Sequence, residues 1–153
     1  MPGLTPDDAG NQAASVLLPP AQRQRVMIMG GGDPNGTAVN RVAIADFTAS
    51  APTYTAAASL KYARMHHSAV LLPDRTVFVC NGSQMSENTT TSMLPAEIYN
   101  PVAGTWTVVE PQSVPRVYHS VALLLPDGRV VTAGGIPRGA LMSCGWKFIV
   151  RRT

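Results

Sequence analysis

Tyr118 and His119 stand side by side in the stretch RVYHSVALLLPDGRVVTAGG, directly before an apolar run. An imidazole and a phenol side by side can be two halves of a metal site, since both supply metal-binding atoms. A structural reading competes with this one: Tyr118 starts a strand with its hydroxyl on a backbone group, and His119 caps a hairpin. Geometry sets the condition for the chemical reading. Neighbouring residues of an extended strand face opposite ways. Both side chains can therefore reach one metal only from an irregular turn ahead of the strand, a turn that Pro115 in the preceding SVPR favours. The cysteines add nothing to this pair. Cys80, inside TVFVCNG, reads as a small buried apolar residue, Cys144 lies near the C-terminal end, and the two form neither a disulfide framework nor a zinc spacing.

The elements that must hold the pair emerge from an internal repeat. RMHHSAVLLPDRTVFVCNG, residues 64–82, resembles RVYHSVALLLPDGRVVTAGG, residues 116–135. Arg64 and Arg116 lie 52 residues apart, as do His67 and His119, and Ser68 and Ser120. A third copy, SVLLPPAQRQRVMIMGGG, begins at Ser15 and lacks the histidine. Between the hairpins run two connectors with an aromatic pair seven apart, Phe47 with Tyr54 and Tyr99 with Trp106. A period near fifty with two hairpins per unit is that of a kelch-type β-propeller blade, a small sheet covered on both faces by its neighbours. The expected fold is all-β, a partial kelch-type β-propeller of about two and a half four-stranded blades over residues 1–135. Apolar runs between Pro-Asp turns predict strands near Ala14–Leu18, Arg25–Met29, Ala43–Phe47, Ser68–Leu72, Thr76–Cys80, Ala96–Tyr99, Trp106–Val109, Ser120–Leu125 and Arg129–Ala133. The glycine pairs allow close backbone approach, and Tyr99 and Trp106 are expected to pack between blades. His67 and His119 are expected at equivalent positions.

Residues 136–153 abandon the period and are expected to be an irregular tail. A closed propeller takes about four to eight blades, so the chain reads as part of something larger. Composition narrows the function classes. The net charge of +3 comes from Arg138, Lys147, Arg151 and Arg152, whereas residues 1–135 carry 8 basic against 9 acidic groups. No basic face for nucleic acid is implied. No apolar run reaches the ~18 residues of a membrane span, and MPGLTPDDAG lacks the features of a signal peptide. The tripeptides starting at Asn35, Asn81 and Asn88 have the form of glycosylation acceptors, a pattern polar turns also produce by chance.

RVYHS followed by LLLPDGRV closely resembles the Tyr-His segment of the copper-radical oxidases, the galactose oxidase and glyoxal oxidase group. YARMHHSAVLLPD, PAEIYNP and GGGDPNG resemble other pieces of that family's propeller, in the expected order, so the likeness spans roughly residues 14–135. The resemblance implies oxidation of a primary alcohol or an aldehyde by oxygen, giving hydrogen peroxide, in an extracellular protein. It implies copper held by two tyrosines and two histidines, with one tyrosine cross-linked to a cysteine. Carried onto this sequence, Tyr118 is the axial tyrosinate that takes the substrate hydroxyl proton, and His119 is an equatorial ligand. His66 and His67 are expected to be structural or channel-lining. The cysteine–tyrosine cofactor and the second histidine ligand have no counterpart here, so the chain is expected to be inactive by itself. The alternative is a non-catalytic kelch propeller that binds glycans or partner proteins through loops such as GSQMSENTTTSMLP.

Overall fold

The computed structural model describes residues 2–4, 10–33, 36–86, 88–135 and the backbone of Lys147–Ile149. Three antiparallel sheets follow one another along the chain. The first joins β1 (Ala14–Leu17), β2 (Arg25–Met29), β3 (Val42–Asp46) and β4 (Tyr54–Ala56) in sequence order. The second joins β5 (Met65–Leu71), β6 (Val77–Ser83), β7 (Ala96–Asn100) and β8 (Thr105–Val109) in the same way. The third pairs β9 (Ser120–Leu124) with β10 (Val130–Gly134) and β10 with β11 (Lys147–Ile149). Two short 3-10 turns, Ala21–Arg23 and Thr89–Thr91, are the only helical elements among the described residues. All nine expected strands are present, with ends shifted by up to three residues.

Two strands are additional. β4 is three residues long, too short for alternation to show. β11 lies in the segment read as irregular, yet it pairs with Val130–Thr132, so that the third sheet keeps the strand order of the others. Arg138, Cys144, Arg151 and Arg152 lie outside the described residues, as does Asn35.

In the second sheet the apolar runs are explained by burial on both faces, since it packs between the other two. Met27, Met29 and Val42 of the first sheet meet Val77, Val79, Tyr99 and Trp106 of the second. The opposite face of the second sheet, with Val70, Phe78 and Cys80, meets Val130 and Ala122 of the third. Cys80 is a free thiol, fully buried, and its desolvation pushes the pKa up to about 12. Tyr99 and Trp106 sit between sheets as expected, their rings 5.0 Å apart, with the indole nitrogen donating to the Ala58 carbonyl at 2.8 Å.

A pair of left-handed residues lies at or beside the end of each sheet's second strand. The φ angles are +59° and +95° at Gly30–Gly31, +67° and +93° at Asn81–Gly82, and +73° and +92° at Gly134–Gly135. Asparagine is among the few residues other than glycine that tolerate this region. Close approach is the second reason for small residues here. A Cβ on Gly30 would lie 2.5 Å from the Arg64 carbonyl oxygen, and one on Gly82 would lie 2.6 Å from that of Met65. Asn81 is fully buried, which removes it as a glycosylation acceptor; Asn88 is exposed, its carboxamide oxygen accepting from the Thr90 amide and hydroxyl.

Candidate metal centre

One arginine anchors each junction between sheets. The Gly31 amide donates to the Arg64 carbonyl at 2.9 Å, and the Gly82 amide donates to the Arg116 carbonyl at 2.8 Å. Each side chain then reaches its own sheet: the Arg64 guanidinium donates to the Asn81 carbonyl at 3.1 Å, and that of Arg116 donates to the Gly134 carbonyl. Both arginines are buried. Their recurrence 52 residues apart marked them as repeat positions, but their bonding roles required the fold to be seen.

Past the arginines the two units diverge. Ala14, Ser68 and Val121 face Met29, Cys80 and Ala133, the residues just before the left-handed pairs. Two positions upstream of these stand Gln12, His66 and His119, and all three are left-handed, with φ of +62°, +56° and +59°. His119 is therefore the register equivalent of His66, 53 residues away, and not of His67. Ser68 faces Cys80 while Ser120 faces Gly134, which also removes the expected Ser68–Ser120 equivalence. The similarity of HHS to YHS concealed one added residue. Met65 alone spans the interval from Arg64 to His66, whereas Val117 and Tyr118 span that from Arg116 to His119. Val117 takes the buried place of Met65, so Tyr118 is the addition.

This added residue resolves the geometric condition on the pair. Tyr118 and His119 are the central residues of a turn in which the Ser120 amide donates to the Val117 carbonyl at 3.2 Å. The Ser120 hydroxyl donates to the same carbonyl at 2.7 Å. With His119 left-handed, the two side chains need not oppose each other, and their ring centroids lie 3.7 Å apart, tilted by 49°. Tyr118 is half-buried and His119 is exposed. The turn holds one phenol and one imidazole together beside solvent, a donor set suited to Cu(II) but short of a complete coordination sphere. Among the described residues no group of three or more His, Cys, Asp or Glu side chains could hold a metal.

The remaining histidines separate by environment. His66 is half-buried, with its ring 5.2 Å from that of Tyr118 and nearly perpendicular to it at 81°. The sequence placed His66 as structural or channel-lining and not beside Tyr118, because that proximity crosses from the second sheet to the third. His67 is buried instead, in the notch that Gly30 leaves open: a Cβ on Gly30 would meet His67 Cε1 at 2.6 Å. Neither of its ring nitrogens has a hydrogen-bond partner. Burial first, then the charges of Arg64 and His66, push its pKa down to about 3, against a small opposing effect of the Met29 backbone. His67 is thus a neutral packing residue.

The chain is similar to alcohol and aldehyde oxidases. Residues 10–148 match the family described as Glyoxal oxidase N-terminus, and the chain belongs to that family. It is 33% identical to a galactose oxidase of Gibberella zeae over 141 residues, which is 87% of this chain and 20% of that protein. It is 34% identical to aldehyde oxidase GLOX of Vitis pseudoreticulata over 85 residues, 51% of this chain and 16% of the relative. A fungal alcohol oxidase of the AA5 family, solved in complex with copper, superposes with a TM-score of 0.76 at 30% identity. That match covers 88% of this chain and 28% of the solved chain. The chain thus spans about a fifth of the galactose oxidase it matches.

Proposed function

We propose that this chain is the part of a galactose oxidase/glyoxal oxidase-like copper-radical oxidase that supplies two copper ligands, Tyr118 oxygen and His119 nitrogen, from a kelch-type propeller. The observation that carries the reading is the turn itself, which sets both rings on one side in a chain of this family. When bound, copper supplies the redox chemistry by which oxygen takes up the electrons of a primary alcohol or aldehyde. The part played by this chain is protonic and positional. Tyr118, ionised on ligation, accepts the proton of the substrate hydroxyl, and half-burial holds its ring in place while His119 remains open to solvent. The substrate is a small alcohol, an aldehyde or the alcohol of a glycan, and the complete protein is extracellular.

A phenol must lose its proton to become a ligand, and a single imidazole holds copper too loosely to enforce that loss. The isolated chain is therefore expected to bind Cu(II) weakly and to release no peroxide from galactose, glyoxal or simple alcohols. Isothermal titration should show that His119→Ala removes most of the binding. Peroxide above a copper-only control, lost in Tyr118→Phe, would overturn the expected inactivity. Binding that is indifferent to both Tyr118→Phe and His119→Ala would remove the ligand assignment.

A further inference from the structure

We infer that His66 is a positioning residue for Tyr118, a ring supplied by the second sheet that fixes the orientation of the phenol in the turn ahead of the third. The inference deepens the copper reading and rests on it for its significance, but its geometry stands alone. The His66 and Tyr118 rings meet edge to face, 5.2 Å between centroids and 81° between planes, within the range that favours aromatic pairs. Tyr118 meets two imidazoles, that of His119 at 3.7 Å and that of His66 at 5.2 Å. As the residue added to its turn, Tyr118 has no counterpart in the second sheet whose packing could fix it. The contact with His66 meets that need.

His66 is also held firmly. Its amide donates to the Gln12 carbonyl at 3.1 Å, and its φ of +56° is the left-handed angle shared by the equivalent residue of each sheet. A left-handed residue other than glycine persists where the surrounding structure dictates it. Here the bond to Gln12 ties the backbone of His66 to the segment leading into β1 while its ring reaches the turn ahead of β9. One residue thus transmits the arrangement of three sheets to a single phenol. Because the contact is ring to ring and not through coordination, a different aromatic ring at position 66 should serve as well.

The full 153-residue chain provides the test, with and without copper. In the copper-free protein, the ring proton resonances of Tyr118, assigned with Tyr118→Phe, should shift in His66→Ala and return towards the wild-type positions in His66→Phe. The thermal midpoints of the variants check that the fold survives. In the Cu(II) titration, His66→Ala should weaken the Tyr118-dependent charge-transfer signal and the affinity by about two- to tenfold, the scale of one aromatic pair. His66→Phe should bring both back to within about twofold of wild type. Unchanged Tyr118 resonances in a folded His66→Ala protein would overturn the inference, as would failure of His66→Phe to restore them. Loss of affinity in His66→Phe with restored resonances would make His66 a ligand and refute the purely positioning role. Absence of any Tyr118-dependent copper signal in wild type would defeat the copper reading alone, since the copper-free resonances decide the role of His66.

Discussion

At the scale of single residues, three histidines in one repeat framework have three different environments, and chemistry follows environment. His67 offers a pH test. Its pKa in the folded chain, about 3, lies below the ordinary value of 6.5, because burial disfavours its charged form. Below pH 6.5 the unfolded chain takes up a proton that the folded chain refuses. The contribution of His67 to stability is therefore complete above that pH and is lost as pH falls towards 3. The slope is at most about 1.4 kcal/mol per pH unit. Urea unfolding followed from pH 7 downwards should show a steeper fall for wild type than for His67→Leu, and identical pH profiles would remove His67 as the source. The sequence marked Tyr118 and His119 correctly as neighbours in an irregular turn, because Pro115 and the Tyr-His pair are local signals. It could not show that His66 approaches Tyr118, a relation made only by packing across sheets.

At the scale of elements, the junctions rest on charge buried between strands. The Arg64 guanidinium donates to Glu97 Oε1 at 2.9 Å and to the Pro95 carbonyl at 2.9 Å, with both charged side chains fully buried. Glu97 in turn accepts from the Lys61 amide at 2.6 Å and the Tyr62 amide at 3.3 Å. The carboxylate thereby locks the connector between the first two sheets onto β7. Removing one partner strands the other without compensation, so Arg64→Ala or Glu97→Ala should each destabilise by about 3–5 kcal/mol. An Arg64→Ala/Glu97→Ala double variant should lose less than the two single changes together, as measured by urea unfolding; additive losses would show that the pair acts as two independent groups. Strand positions were readable where an apolar run ends in a Pro-Asp turn, as between β5 and β6 and between β9 and β10. Strand register was not. An insertion of one residue among near-identical triplets leaves the apolar pattern intact, so HHS and YHS align by letter while the ladder sets them one apart. β11 escaped notice for another reason: KFI carries no alternation long enough to read. In register, Lys147 opposite Thr132 takes the place that Glu97 holds opposite Val79, so the acidic partner of the second sheet is not repeated there.

At the scale of the whole molecule, the third sheet presents two unequal faces. Val130 is buried against the second sheet, whereas on the other face of the same hairpin Val121 and Leu123 are 49% and 56% exposed beside a buried Val131. Leu123→Lys should leave stability within about 0.5 kcal/mol of wild type, as expected of surface positions. Phe78→Lys, which forces a charge between the second and third sheets, should unfold the chain. Far-UV circular dichroism under urea separates the two, and equal damage from both would mean that the outer face is packed. The single residue added before β9 has one more consequence, for the history of such a chain. A residue inserted within a strand turns every later side chain to the opposite face, but one inserted ahead of the strand leaves inside and outside unchanged. The repeat could therefore acquire its tyrosine by lengthening rather than by exchange, with the apolar pattern of β9 and β10 left as it was. A lineage that dropped this codon would return the turn to the length found in the second unit, losing the phenol and keeping the sheet.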